Sequence, residues 1–176
     1  IKVFFKGNLT MCGICGYYGI NDNVTIKLMT KILEHRGPDN FGYFHDKNIS
    51  LGHRRLSIID LSEKGKQPMS NEDGTVWITY NGEIYNFQEL RDELEEKGHK
   101  FKSNTDTEVI IHAYEEYGED CLQKFNGMFA FCIYDSNEKK LFLARDRLGK
   151  KPLYYYWDGK QFIFASELKS ILVTNF

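Results

Sequence analysis

The residues with the most chemistry in this chain begin at Met11-Cys12. A cysteine directly after a methionine can become a chain terminus, and it then carries a free α-amine beside its own thiol. An α-amine titrates near about 7.7–8.0, so at neutral pH it can act as a base within the same residue. The terminal amine then takes the place of the histidine in a catalytic triad. The plain alternative is a start methionine followed by a small buried residue, and this stretch read alone favours it.

Three other polar clusters change the balance. In His53-Arg54-Arg55-Leu56-Ser57-Ile58-Ile59-Asp60 an arginine at a strand end can hold a carboxylate through paired charge-assisted hydrogen bonds. Adjacent arginines in a strand point to opposite faces, so at most one of the two looks into a site. A surface ion pair is the alternative. Asn81-Gly82-Glu83 reads most simply as a hairpin turn, yet a capped helix follows it and no return strand does. In a catalytic reading the Asn81 amide and the Gly82 N–H are donors for a tetrahedral oxyanion, and Glu83 faces a cationic group. Asp106, in Ser103-Asn104-Thr105-Asp106, suits a helix N-terminus by its charge and can also bind an ammonium. Together these supply a nucleophile, an oxyanion hole, a carboxylate clamp and ammonium partners. That inventory is what holding an α-amino acid and attacking its side-chain carbonyl requires.

The elements that must position these groups follow from periodicity. Residues 12–20 read as a strand, and Val24–Leu33 as a helix with apolar positions 24, 28, 29 and 32. His35-Arg36-Gly37-Pro38-Asp39 ends that helix. Phe41–Phe44 and Ile49–Asp60 read as strands, and Val76–Tyr80 as a strand leading into Asn81-Gly82. Asn86 with Glu89 forms a capping-box signature before the stripe Phe87, Leu90, Leu94, and Thr105 with Glu108 repeats it before a second helix that Gly118 stops. Met128–Tyr134 and Leu141–Arg145 then read as strands, and Asp158-Gly159 joins Leu153–Trp157 to Gln161–Ala165 as a hairpin. Strands, two helices, then more strands suit an α+β fold with helices packed on antiparallel sheets.

Composition bounds the rest. A chain of 176 residues with 41% hydrophobic residues fits one domain with a sizeable core. A net charge of -2 implies neither a nucleic-acid nor a membrane partner. Four cysteines are too few for a secreted disulfide framework, so a cytoplasmic chain with reduced thiols is expected. Cys12 and Cys15 have CxxC spacing, but no histidine pair sits at finger spacing, and no metal site is expected.

Cys12-Gly13-Ile14, His35-Arg36-Gly37-Pro38-Asp39, Arg55-Leu56-Ser57-Ile58, Asn81-Gly82-Glu83-Ile84-Tyr85-Asn86, Thr105-Asp106-Thr107-Glu108 and Arg145-Asp146-Arg147-Leu148-Gly149-Lys150-Lys151-Pro152-Leu153-Tyr154 occur in that order. In this the chain resembles the glutaminase domain of glutamine-hydrolysing asparagine synthetases, a class II glutamine amidotransferase. The resemblance implies the four-layer αββα sandwich of N-terminal-nucleophile hydrolases. It also implies hydrolysis of L-glutamine to glutamate and ammonia through a Cys12 thioester. Asn81 and Gly82 would form the oxyanion hole. Arg55 would grip the glutamine carboxylate, Leu56, Ile58 and Ile59 would add backbone contacts, and Glu83 and Asp106 would take the α-ammonium.

Cys15 and the histidines His35, His53, His99 and His112 are left with structural roles. Residues 1–10 read as a leader, an appended remnant or a pro-segment, residues 11–172 as the glutaminase domain, and residues 173–176 as the start of a linker. The resemblance implies an ATP-binding synthetase domain beyond that linker, where ATP and magnesium would be needed; the glutaminase domain itself would need no cofactor. A homodimer is left open. The alternatives are the glutaminase domain of another amidotransferase, or an unprocessed and inactive fragment whose Cys12 is internal.

Overall fold

Strict in-out alternation along two antiparallel sheets builds the molecule. The structure is a computed structural model that describes residues 11–56 and 63–174. Its strands are β1 (Gly13–Tyr18), β2 (Asn40–Asp46), β3 (Ile49–Arg55), β4 (Met69–Ser70), β5 (Val76–Ile84), β6 (Gly127–Asp135), β7 (Lys140–Arg145), β8 (Tyr154–Trp157) and β9 (Phe162–Ala165). Helices are α1 (Thr25–Ile32), α2 (Phe87–Glu96), α3 (Asp106–Tyr117), α4 (Cys121–Lys124) and α5 (Leu168–Leu172). One sheet has the order β2-β3-β1-β9-β8 and the other β4-β5-β6-β7.

Each central strand feeds two cores, because successive side chains leave a strand on opposite faces. Ile14 of β1, Leu51 of β3, Ala130 and Cys132 of β6 and Phe164 of β9 meet between the sheets. Cys15, Tyr17, Ile163 and Ala165 point the other way, under α1 and α5, with Ile26, Met29, Leu33 and Ile171. Phe129, Phe131 and Ile133 of β6 and Ile78, Tyr80 and Ile84 of β5 pack beneath α2 and α3. The result is the expected α+β sandwich in four layers, helix, sheet, sheet, helix.

Four local expectations are corrected. The buried face of α1 is Ile26, Met29, Thr30 and Leu33, while Val24 and Leu28 are exposed. Thr30 hid that register. It is polar by type, yet its hydroxyl is satisfied internally by Ile26 O at 2.8 Å, so it can be buried. The Asn86–Glu89 capping box does not form. Asn86 instead donates to Lys124 O at 3.0 Å and accepts from Asn126 N at 3.0 Å, tying the start of α2 to the next loop. Strand β3 stops at Arg55 and Leu56 is already outside it, while residues 57–60 of the expected strand lie outside the described residues. Asn81-Gly82 is no turn or strand end; both residues lie inside β5, paired with Ala130 and Phe129. The Thr105 cap does form, its hydroxyl accepting from Glu108 N at 3.3 Å.

His53 shows how polar groups are placed between the sheets. Its Nε2 lies 3.0 Å from Tyr80 O, so Nε2 carries the proton, and the buried Nδ1 has no partner among the described residues. Burial pushes its pKa down from 6.5 to about 3. Below pH 6.5 the unfolded chain therefore binds one more proton than the folded one, and stability is lost as pH falls toward 3. His53→Gln keeps a donor for Tyr80 O without titrating. Its unfolding free energy between about pH 4 and 6 should fall less steeply than wild type, by roughly 1.4 kcal/mol per pH unit. Denaturant unfolding across that range checks this, and parallel curves would refute it.

Candidate active site

Cys12 precedes β1 at the end of the sandwich, beside Leu56, the residue after β3. Its Sγ lies 3.4 Å from the Leu56 N–H and 3.6 Å from Leu56 O. The thiol can thus donate to the carbonyl and, when ionised, accept from the amide. Burial pushes the thiol pKa up, against the Leu56 amide and the cations of Arg55 and Lys151, which pull it down.

Cys12, Arg55, Leu56, Gly82, Glu83 and Asp106 line one pocket, with Gly65, Gln67, Tyr80, Thr105 and Thr107. Six of the residues singled out in the sequence are thereby brought together. Ile58 and Ile59 lie outside the described residues. The arginine pair divides as alternation requires. Arg54 turns toward α1, donating to Thr30 O at 3.1 Å and covering the Phe41 ring at 5.0 Å, while Arg55 looks into the pocket.

Asn81 does not line the pocket wall; it stands behind it, almost fully buried. Thr79, on the same face of β5, bonds Gly52 O across the sheet interface at 3.0 Å. Asn81 therefore points toward the sheet that carries Cys12. Its Nδ2 is buried with no partner among the described residues, a state that native structures rarely tolerate without a use.

Gly82 supplies a second donor through strand geometry. Phe129, opposite Gly82, sends its N–H to Asp146 Oδ2 at 3.3 Å and receives the Asp146 N–H at 2.8 Å. The Gly82–Phe129 pair is accordingly a non-hydrogen-bonded one, and Gly82 directs its N–H off the other edge of β5. On that edge Tyr80 N reaches Gln67 Oε1 at 2.7 Å and Ile84 N reaches Asp106 Oδ2 at 3.0 Å. The Gly82 N–H lies between them, facing the pocket. Only glycine fits here, because a Cβ would lie 2.3 Å from Met128 O and 2.7 Å from Phe129 Cα.

Asp106 is the first residue of α3 and is nearly fully buried. Its Oδ2 accepts both the Ile84 N–H and the Tyr80 hydroxyl, the latter at 2.7 Å. Burial raises its pKa even so. A buried carboxylate in this position gains from an arriving cation. Glu83 is exposed at the rim.

Four contributors were not singled out in the sequence. Gln67 bridges the β5 edge to Thr107 Oγ1 at 3.1 Å, and Tyr80 holds Asp106. Arg36 donates to Cys12 O at 3.1 Å and to Glu167 Oε1 at 3.1 Å. Lys151, nearly fully buried, places Nζ 3.2 Å from Met11 Sδ. Arg36 and Lys151 belong to stretches quoted above for resemblance alone; nothing in their spacing pointed to Cys12.

Comparison with known proteins places the chain in a family. Residues 11–176 match the family described as "Glutamine amidotransferase domain". The chain belongs to that family. Over 94% of its length the domain is 49% identical to asparagine synthetase [glutamine-hydrolyzing] 1 of Bacillus subtilis, and 47% identical to putative asparagine synthetase [glutamine-hydrolyzing] 2 of Methanocaldococcus jannaschii. It spans only 27% and 36% of those proteins. Its fold is also that of the glutamine phosphoribosylpyrophosphate amidotransferase of B. subtilis, solved with ADP and GMP. The TM-score is 0.79 at 24% identity, over 93% of this chain and 44% of that one.

Lys151 can be tested through the thiol alone. Cys15, Cys121 and Cys132 are fully buried, so alkylation of the folded domain reports on Cys12. Lys151→Met removes a nearby cation and should raise the apparent Cys12 pKa. The pH profile of iodoacetamide labelling measures it, and an unshifted profile excludes this role for Lys151.

Proposed function

We propose that this domain hydrolyses L-glutamine to glutamate and ammonia through a thioester on Cys12, with Cys12 as the first residue. The convergence of Cys12, Arg55 and Asp106 on one pocket carries the reading. A fixed cation and a fixed anion there match the carboxylate and ammonium of an amino acid and leave its side chain to the thiol.

In the reaction the α-amine of Cys12 takes the thiol proton, and the sulfur attacks the glutamine side-chain carbonyl carbon. The developing oxyanion accepts from Asn81 Nδ2 and the Gly82 N–H. Collapse breaks the C–N bond, the protonated amine passes its proton to the leaving nitrogen, and ammonia departs. Water, deprotonated by the same amine, then cleaves the thioester to glutamate. Arg55 holds the α-carboxylate with Leu56 beside it; the backbone contacts expected of Ile58 and Ile59 lie outside the described residues. Asp106, backed by Tyr80, holds the α-ammonium, and Glu83 adds charge at the rim.

The similarity to asparagine synthetases supports a wider role, in which the ammonia serves an ATP- and magnesium-dependent synthetase domain that amidates aspartate. Exposed Tyr155, Trp157 and Leu148 offer apolar surface to such a neighbour. A cytoplasmic location fits this reading; among the described residues no helix is long and apolar enough to cross a membrane.

Binding and chemistry separate by mutation. Asn81→Ala should lower kcat by roughly 10²–10³, the usual loss for one oxyanion donor. Arg55→Lys keeps charge but loses the planar fork, so KM for glutamine should rise about tens-fold with a smaller change in kcat. Steady-state ammonia release measures both. An Asn81→Ala enzyme with normal kcat would remove that residue from the oxyanion hole.

The base imposes a second requirement. While Met11 is attached, the Cys12 nitrogen is an amide and cannot accept a proton. Protein verified by intact mass to retain Met11 should release no ammonia from glutamine, whereas protein beginning at Cys12 should be active. Its kcat/KM should decline at low pH, with an apparent pKa at or below the ~7.7–8.0 of a free α-amine, because the Lys151 cation disfavours a second positive charge. Activity in the Met11-containing chain would overturn the terminal-amine mechanism.

A further inference from the structure

The histidines left without a role in the sequence include two that meet a glutamate far from the pocket. His112 and Glu115 lie one turn apart on α3, and His99 follows Gly98, which ends α2 with φ 100°. His112 Nδ1 is 2.8 Å from Glu115 Oε2 and 3.2 Å from His99 Nδ1, and the third side of the triangle is 3.8 Å. A tetrahedral ion bound at about 2.0–2.1 Å to nitrogen or oxygen sets its ligand atoms roughly 3.3 Å apart. The three measured edges bracket that value.

With a neutral His99 accepting, the one proton on His112 Nδ1 is shared between the Glu115 carboxylate and the facing imidazole nitrogen. One cation at the centre accepts a lone pair from all three.

The surroundings are those of a ligand set held in place. A metal-binding histidine ordinarily turns its other ring nitrogen toward a carboxylate or carbonyl. His99 Nε2 lies 3.3 Å from Glu116 Oε2. His112 Nε2 is buried without a hydrogen-bond partner among the described residues and faces Glu72 and Glu108 at 3.8 and 3.9 Å. Asn71 Nδ2 binds Glu115 Oε1 at 2.8 Å, which leaves Oε2 for the site. The Phe101 ring packs edge-on against His112 at 4.6 Å and fixes its plane. His112 is closed off from solvent, while His99 and Glu115 keep 17% and 24% of their side-chain surface, so the cluster is open to solvent on their side.

We propose that His99 Nδ1, His112 Nδ1 and Glu115 Oε2 form a site for a divalent transition metal of the zinc class, which fastens the end of α2 to α3. Imidazole with one carboxylate selects zinc and its neighbours over magnesium or calcium. The site departs from the expectation of a metal-free domain. It does not rest on the glutaminase reading, because none of its ligands touches the pocket.

Titration of the full chain with zinc chloride, in competition with a chromophoric chelator, should give one equivalent bound with micromolar or tighter affinity. Saturating zinc should raise the melting temperature by about 5 °C or more. His99→Ala and Glu115→Gln, each checked for a wild-type circular dichroism spectrum, should weaken binding at least tenfold, and Cys12→Ala should leave it unchanged. Cobalt substitution should give tetrahedral d–d bands without a thiolate charge-transfer band. No stoichiometric binding at ~100 µM zinc, full affinity in His99→Ala, or a thiolate band abolished by Cys12→Ala would each overturn the site.

Discussion

The free edge of β5 governs the pocket. Among the described residues β4 contributes only Met69 and Ser70 to that edge, so from Tyr80 onward the backbone donors facing it have no described strand to bond. Buried N–H groups must nevertheless be paired. Gln67 meets the need at Tyr80 and the carboxylate of Asp106 meets it at Ile84. This demand draws the start of α3 against the strand and sets a carboxylate in the pocket. Gly82 is left as the donor that a reacting oxygen can use.

Face alternation in the two sheets supplies the remaining groups. Between the sheets the middle of the sandwich is apolar, filled by Ile14, Leu51, Ala130, Cys132 and Phe164. At its end the same face carries His53, Arg55 and Asn81, residues that an apolar core would reject. Cys12 thus sits where burial ends and charge begins. Burial raises its thiol pKa while Arg55, Lys151 and the Leu56 N–H lower it. Burial, the largest of these effects, keeps the thiol protonated until a base is at hand.

Helix α3 serves two sites by position alone. Its first residue holds the carboxylate at the pocket, and His112 and Glu115 lie more than a turn further on. Every residue from Asp106 to Tyr114 is buried, so its polar groups face protein partners. Such a helix has little freedom to shift, and a metal at its middle would stiffen the support of Asp106 without touching substrate.

The sequence by itself determined the class of chemistry and most of the element order. Cys12, Arg55, Asn81-Gly82 and Asp106 could be read from residue type, spacing and ordered motifs; the α+β class followed from strand and helix periodicity, and the αββα layering from the resemblance. Alternation limited the pocket to at most one of Arg54 and Arg55, and the resemblance pointed to Arg55. Tertiary structure alone decided what depends on contacts between distant segments. Tyr80 and Gln67 carry no periodic signal for their tasks, since their partners Asp106 and Thr107 lie on another element. Arg36 and Lys151 reach Cys12 only because the loops after α1 and β7 close over the end of β1. Thr30 was left out of the helical stripe because a polar residue type says nothing of a hydroxyl satisfied internally. His99 and His112 were passed over because sequence spacing reveals ligands on one helix or in one loop. A triangle completed by the packing of two helices has no signature in a linear chain.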